Sequence, residues 1–129
     1  MNWYFRADFW AKEHPLFDGL PCGGIMDYRF YEDILRTKVL RGVQPPAEAV
    51  AGAIQASGGS PYQADLLVSV ASLGAGRLLL NSLLVRQNLG GVPAAERLLR
   101  NMLNYASQGA DQPLAELPAG FAEQLKAMQ

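Results

Sequence analysis

The chain has 129 residues, of which 50% are hydrophobic and 18% are charged, and its formal net charge is −1. A single domain of this size buries roughly two-thirds of the surface that its unfolded chain exposes, which disfavours an intrinsically disordered protein. Acidic and basic residues are nearly equal in number, and the chain has no excess of basic residues to neutralise the phosphates of a nucleic acid. We therefore expect no nucleic-acid partner.

The first third of the chain is rich in aromatic residues and turns. Residues 3–10 (WYFRADFW) predict a strand. Residues 14–24 (HPLFDGLPCGG) contain prolines and glycines at turn spacing and predict a loop. Residues 25–36 predict either a short helix or an irregular aromatic segment. Residues 37–41 (TKVLR) predict a short strand that stops at Gly42.

Three apolar segments in the middle of the chain predict an antiparallel meander. They span residues 48–55, 65–72 and 77–85, and the last is the most hydrophobic part of the sequence. Turn residues separate them at 57–61 (SGGSP) and 74–76 (GAG). Short connections favour antiparallel neighbours, so we expect the three strands to lie side by side.

The last third predicts a long helix over residues 93–107. Pro93 suits the first helical position because its missing N–H is not needed there. Apolar residues at helical spacing form one face, namely Ala95, Leu98, Leu99, Met102, Leu103 and Ala106. Together these segments predict a single domain over residues 1–108. Residues 109–129 predict a linker followed by a second amphipathic helix.

Cysteine and histidine each occur once, as Cys22 and His14. One cysteine excludes an internal disulfide framework, and the pair lacks the ligand number of a common metal site, so we expect no metal and no cofactor. The two side chains could cooperate as a nucleophile and its base. However, Cys22 lies between a proline and two glycines rather than at an activating strand-to-helix elbow. We therefore favour a turn-shaping role for this segment and predict that the chain is not an enzyme.

No membrane or export signal is visible in the sequence. No segment approaches the roughly 20 apolar residues of a membrane span, so we expect a soluble chain without a membrane partner. The N-terminus lacks the basic-then-apolar order of a signal peptide and is more typical of the middle of a longer protein. The compartment stays open, because exported proteins without disulfides are common.

Two glycine pairs raise the alternative of a phosphate-binding loop. Gly74 and Gly76 precede a predicted strand, which is the wrong context for a dinucleotide fingerprint. Gly90 and Gly91 precede the predicted helix, whose N-terminus could hold an anion. No P-loop lysine accompanies them, so turns are the favoured interpretation.

A small-ligand site is the remaining possibility for binding. Aromatic rings in the N-terminal part offer stacking faces for a sugar, and the neighbouring carboxylates offer acid and base groups. Polar residues after the most apolar strand lie where loops on a rigid scaffold often carry function. The alternative in each case is that these side chains are part of the solvent-exposed surface and bind no ligand. The candidate ligand-binding residues are Trp10, Asp27, Tyr28, Tyr31, Arg86 and Asn88.

Four segments together resemble a known family. They are HPLFDGLP at 14–21, GAGRLLLNSL at 74–83, RQNLG at 86–90 and PAAERLL at 93–99. The series, which covers residues 14–106, is similar to the C-terminal part of glutamine-amidotransferase-like domains. The similarity is greatest to the domains appended to bacterial glycoside hydrolases of the beta-galactosidase type.

The resemblance implies a partial flavodoxin-like fold of the class I glutamine-amidotransferase kind, in the α/β or α+β class. It implies an antiparallel meander and a long C-terminal helix, with further strand–helix units preceding them in a complete domain. Active members use an elbow cysteine and a later histidine–glutamate pair, and this chain departs from that pattern. The resemblance therefore implies a non-catalytic domain that mediates contacts between domains or subunits.

Three functions are thus in competition. The leading prediction is a non-catalytic accessory or association domain, whose partner is a second copy or a parent glycosidase domain. The second is a small-ligand or carbohydrate-binding module. The third is a hydrolase or transferase that works through Cys22 or Asp27, for which we expect no turnover.

Overall fold

Five strands form one sheet in the order β2-β1-β3-β4-β5, and every neighbouring pair is antiparallel. The computed structural model describes residues 7–35, 40, 48–55, 63–108, 119–120, 123 and 126–127. The strands are β1 Ala7–Ala11, β2 Gly24–Ile25, β3 Glu48–Gln55, β4 Gln63–Leu73 and β5 Gly76–Asn81. The helices are α1 Tyr28–Tyr31 and α2 Pro93–Ser107, and two 3₁₀ turns span Pro15–Phe17 and Arg86–Asn88. This arrangement confirms the predicted mixed class, in its α+β form, with one long helix.

The predicted meander is confirmed by the pairing of β3 with β4 and of β4 with β5. Leu73 pairs with Gly76, so only two residues connect the last two strands. Gly74 supplies the positive φ, +57°, that a two-residue hairpin connection needs. The turn residues that punctuate the sequence therefore act as predicted.

The last strand is shorter than its apolar sequence predicts. It ends at Asn81 rather than at Val85, because the Asn81 side chain makes two local hydrogen bonds. Its Oδ1 accepts from the Leu83 N–H at 3.1 Å, and its Nδ2 donates to the Leu83 carbonyl at 3.2 Å. An asparagine that bonds the backbone two residues on favours a turn over a continued strand.

Two compensating bulges bring extra apolar side chains into the core. Ala49 pairs with Ser69, Ala51 with Val68 and Gly52 with Leu66, so Val50 is the extra residue of β3 and Leu67 that of β4. Both extra residues are fully buried. The register is the same on either side of the bulges, and the inward and outward faces of the strands are preserved.

The core lies between one face of the sheet and α2 with the first 3₁₀ turn. Most of the predicted apolar face of α2 is buried or half-buried there. Leu103 is 62% exposed because it lies at the rim of that face, and Ala106 is exposed in the last turn. The fully buried side chains of the core include Leu16, Phe17, Tyr31, Ile34, Val50, Leu67, Val68 and Leu98.

Asn101 fastens α2 to the first 3₁₀ turn. This buried side chain donates from Nδ2 to the carbonyl oxygens of Leu16, at 3.1 Å, and Asp18, at 2.9 Å. Arg97 adds a bond from Nε to the same Asp18 carbonyl and an ion pair with the Asp18 carboxylate at 3.1 Å. The exposed ion pair contributes little, whereas the buried amide satisfies carbonyls that water cannot reach.

Several predictions concern residues outside the described ranges. They are residues 3–6 of the aromatic segment, most of the strand at 37–41, and most of the linker and second amphipathic helix at 109–129. Leu40 is described, and it makes an isolated antiparallel bridge with Leu66. Within the described part of the chain, no helix is long and apolar enough to cross a membrane.

We expect Asn101→Ala to lower the free energy of unfolding by about 1–3 kcal/mol, because the buried Leu16 carbonyl loses its donor and the Asp18 carbonyl keeps only Arg97. The matched control is Asn104→Ala, on the exposed side of the same helix, which should change stability by less than about 0.5 kcal/mol. Urea unfolding followed by circular dichroism measures both. Equal effects of the two substitutions would contradict the assignment.

Candidate interaction surface

The two faces of the sheet differ in what covers them. Residues that pair directly across neighbouring strands lie on the same face. The core cluster shared with α1, α2 and the first 3₁₀ turn contains Phe9 and Ala11 of β1 and Leu79 of β5. It does not contain Trp10 or Leu78, which alternate with them and therefore point to the other side. We call this other side the open sheet face, formed by the apolar residues Trp10, Ile25, Ile54, Leu66, Leu78 and Leu80 together with the polar residues Asp8 and Ser69.

The open sheet face is apolar and partly accessible to water. Ile25 is 69% exposed, and Ile54 and Leu78 are each 43% exposed. Trp10, Leu66 and Leu80 are half-buried. Large apolar side chains that share one exposed face are uncommon on a monomeric protein and typically mark an interaction surface.

A row of paired residues crosses this face from the edge strand β2 to β4. Trp10 of β1 pairs with Ile25 on one side and with Gly52 on the other. Gly52 pairs in turn with Leu66, which bridges to Leu40. The apolar surface is therefore continuous across four strands.

Gly52 makes room for the Trp10 indole. A Cβ at position 52 would lie 2.7 Å from Cζ2 of Trp10 and 2.6 Å from the Asp65 carbonyl oxygen. Both distances are far shorter than a van der Waals contact, so only glycine allows the ring to lie over the β3 backbone. One side of the indole is thus supported by the sheet.

Trp10 also lines a shallow groove of about 390 Å³ at the β1–β2 end of the sheet. Lys12, Glu13 and the backbone at Gly23 and Gly24 form the rest of its lining. The volume is in the range of small-ligand pockets, but the groove is open rather than enclosed.

The predicted ligand-binding residues do not form one site. Tyr31 is fully buried, its ring packs edge-on against Phe17 and Phe30, and its hydroxyl donates to the Pro21 carbonyl. It therefore presents no stacking face to a ligand. Trp10 lies on the open sheet face, whereas Tyr28 is 54% exposed at the start of α1.

The polar members of that set serve local structure. Asp27 caps α1, since its Oδ1 accepts from the Arg29 N–H at 2.9 Å. Asn88 donates from Nδ2 to the Asp33 carbonyl at 2.7 Å and to that of Leu84 at 2.9 Å, which joins the second 3₁₀ turn to the end of α1. Arg86 is exposed in that turn.

His14 has both ring nitrogens engaged and none left for Cys22. Nδ1 accepts from the Leu16 N–H at 3.2 Å, which places the proton of the neutral ring on Nε2. Nε2 faces the Glu48 carboxylate at 3.3 Å, and the ring packs against Tyr105 at 5.1 Å between centroids. This arrangement holds the first 3₁₀ turn against the start of β3. Cys22 is exposed and free.

The glycine pair before α2 does not leave the helix N-terminus open to an anion. The Gly90 N–H donates to Oε1 of Glu96 at 3.2 Å, so a carboxylate of the helix itself occupies that turn. Gly90 has φ +83°, the left-handed conformation that a turn needs. Among the described residues, no group of three or more histidine, cysteine or carboxylate side chains could hold a metal ion.

The residues of the open sheet face were mostly missed by reasoning from sequence. Leu78 and Leu80 belong to a continuous apolar run, in which alternation cannot separate the two faces. Ile25 and Ile54 are isolated apolar residues in sequence and become neighbours of this surface only through the register. The one available signal was Gly52 within a strand, which often marks a close approach.

Comparisons with known proteins add no relative. No family model matches the chain, and neither a curated protein nor a solved structure matches it.

Burial raises the pKa of the Tyr31 hydroxyl well above its ordinary value of 10.0, and negative charge on Cys22 raises it further. The unfolded chain releases this proton near pH 10 while the folded chain retains it. The stability that Tyr31 contributes is therefore complete below pH 10 and declines as the pH rises above it, by up to about 1.4 kcal/mol per pH unit.

We expect Tyr31→Phe to lower the free energy of unfolding by about 1 kcal/mol at pH 7.5, because the Pro21 carbonyl loses its donor. Above pH 10 the free energy of unfolding of this variant should decline less steeply than that of the wild type. Urea unfolding at pH 7.5, 9.5 and 10.5–11 tests this. Parallel pH profiles for the two proteins would show that Tyr31 ionises as readily in the folded chain as in the unfolded one.

Proposed function

We propose that this chain is a non-catalytic association domain, related to the accessory domains of carbohydrate-active enzymes, and that it associates through the open sheet face. The observation that carries the proposal is the difference between the two faces of the sheet. One is covered by α2 and the first 3₁₀ turn, and the other presents apolar side chains to water.

The chemistry of the open sheet face favours a protein partner. Most of its members are hydrophobic side chains, and Asp8 is its exposed charged member, so contact with another apolar surface gains free energy from each apolar side chain removed from water. Complete burial of a leucine or isoleucine is worth roughly 1.5–3 kcal/mol, and these residues begin partly buried. Several of them together are needed to exceed the entropy cost of association.

The flavodoxin-like relationship stays part of the proposal, although such folds have a mostly parallel sheet and every described strand pair is antiparallel. A three-layer fold has helices on both sides of its sheet, whereas the described residues supply helices to one side only. A partner on the open sheet face would take the place of the second helical layer.

The partner we propose is a second copy of the chain. Two identical apolar faces are complementary to each other in a two-fold arrangement, and a net charge of −1 gives two copies little electrostatic repulsion. Docking onto a parent glycosidase domain is the other outcome that an association experiment can return.

The contacts of the candidate catalytic groups support a non-catalytic role. His14 binds Leu16 and Glu48 through its two nitrogens, and the carboxylate of Glu96 fills the turn before α2. Asp27 likewise caps α1, and the exposed thiol of Cys22 has no histidine as its base because both nitrogens of His14 are engaged.

We expect Leu78→Lys to weaken self-association at least tenfold, since it places a charge on the open sheet face of both copies. Leu103→Lys is the matched control, because Leu103 is another exposed leucine but lies on α2, away from the sheet. Sedimentation velocity over a dilution series measures association, and circular dichroism confirms that each variant is folded. If Leu103→Lys weakened association as much as Leu78→Lys, the surface would be assigned wrongly.

A carbohydrate-binding module is the second candidate, favoured by the groove beside Trp10. A supported indole with an accessible side, next to Lys12 and Glu13, can stack on a sugar ring and bond its hydroxyls. Titration with galactose and lactose, followed by tryptophan fluorescence, separates the two functions. A saturable change that is lost in Trp10→Phe would favour the binding module, whereas association through the open sheet face predicts no saturable change.

A further inference from the structure

Strand β5 is an edge strand of the described sheet. Its hydrogen bonds with β4 show which of its backbone groups point toward β4 and which point away. The Ser82 N–H donates to the Leu67 carbonyl at 2.8 Å, one residue beyond the pair formed by Asn81 and Val68. In an antiparallel ladder this makes Asn81 and Val68 a non-hydrogen-bonded pair. Hydrogen-bonded and non-hydrogen-bonded pairs alternate along the ladder. Leu78 and Leu80 therefore form hydrogen-bonded pairs with β4, in which their N–H and C=O groups bond the opposite residue.

Three other residues of β5 have backbone groups that point to the free side of the strand. The N–H and C=O groups of Arg77, Leu79 and Asn81 point from β5 away from β4, and no other described strand lies on that side. Unpaired groups in a row on an apolar edge strand are a template for another strand. Natural edges usually carry a proline or an inward-pointing charge to prevent such pairing.

The sequence of β5 has no proline, and its one inward-pointing charge is bound to α2. Its one charged side chain, Arg77, is turned to the covered face, where it lies 5.2 Å from the Tyr105 ring centre and donates to the Tyr105 hydroxyl at 3.2 Å. Leu78 and Leu80 lie on the open sheet face on either side of Leu79. The edge is thus apolar, uncharged toward its free side and continuous with the open sheet face.

We infer that a second copy of this chain pairs its β5 with this edge, antiparallel and about a two-fold axis at Leu79, so that two five-stranded sheets become one. The inference goes beyond the proposed function, because pairing at this edge sets the two open sheet faces side by side and does not cover them. Apolar contact alone is non-directional, whereas a row of outward-pointing backbone donors and acceptors is matched by another strand.

The register follows from the three outward-facing residues. With Leu79 opposite Leu79 of the second copy, Arg77 of each copy lies opposite Asn81 of the other. Each of the three residues then donates one backbone hydrogen bond to the second copy and accepts one from it. A slip of the partner strand by two residues would put Asn81 opposite Ala75 in the β4–β5 turn and lose that pair. The central register is therefore the one that satisfies the edge most fully.

The same register is also favourable for the side chains. Leu78 lies opposite Leu80 of the second copy in a non-hydrogen-bonded pair, the closer of the two pair types. Arg77 meets the uncharged Asn81, so no like charges oppose each other across the interface. The apolar surfaces of the two open sheet faces become continuous at the junction.

Hydrogen exchange measured residue by residue tests the inference on the whole chain. We expect the amides of Arg77, Leu79 and Asn81 to be protected at high protein concentration and to exchange rapidly on dilution. The amides of Leu78 and Leu80 should stay protected at both concentrations, because they bond β4. A self-associated protein in which Arg77, Leu79 and Asn81 exchange as rapidly as in the dilute sample would overturn the strand pairing and leave the association domain standing. A protein that never associates would overturn both.

A pair of variants gives an independent test. Arg77→Pro removes an N–H that points to the free edge and none that bonds β4, a position at which edge strands tolerate proline. Arg77→Ala is the matched control, which loses the same contact with Tyr105 and keeps the N–H. We expect Arg77→Pro to associate at least tenfold more weakly than Arg77→Ala in sedimentation velocity. Equal association of two folded variants would contradict the pairing, and if Arg77→Pro fails to fold, the exchange pattern of the wild type decides.

Discussion

The packing of α2 and the first 3₁₀ turn against one face of the sheet is the interaction on which the rest of the structure depends. Asn101 and Leu98 connect the helix to that turn and to the sheet, and the bulged residues Val50 and Leu67 fill the space between. One long helix covers one side of a five-stranded sheet. The alternation of the strands then forces Trp10, Ile54 and Leu78 to the opposite side.

This one-sided arrangement relates the fold to the proposed function. A sheet buried on one face ordinarily carries polar residues on the other. Here the second face carries leucine, isoleucine and tryptophan, so its sequence is that of a sheet covered on both sides. An association domain explains why this surface is apolar, and the resemblance to accessory domains of glycosidases supplies the same expectation from a separate starting point.

Much of the fold was predictable because its signals are local. The turns at Gly74 and before Pro93 follow from residue types that only a few backbone conformations accept, and the helical spacing of Ala95, Leu98 and Met102 marks a buried face. The class and the meander follow from these signals. The end of β5 does not follow from these signals, because the side-chain hydrogen bonds of Asn81 stop the strand although the apolar sequence continues to Val85.

The candidate surface was much less predictable because it depends on pairing between distant segments. The contact of Trp10 with Gly52 joins strands 42 positions apart, and Gly52 by itself indicates a close approach without indicating its partner. The sequence predicts ligand contacts for Tyr31 and Asn88 because polar aromatic and amide groups are typical of binding sites. The structure uses both for buried or local hydrogen bonds, the other common role of such side chains.

The most direct test of the central claim is the solution mass of the unmodified chain, measured by light scattering over a dilution series. Association through the open side of the sheet predicts a mass that rises with concentration from 14.0 kDa to twice that value. A folded protein that stays at 14.0 kDa at every concentration would contradict self-association, and the groove beside Trp10 would become the principal candidate site.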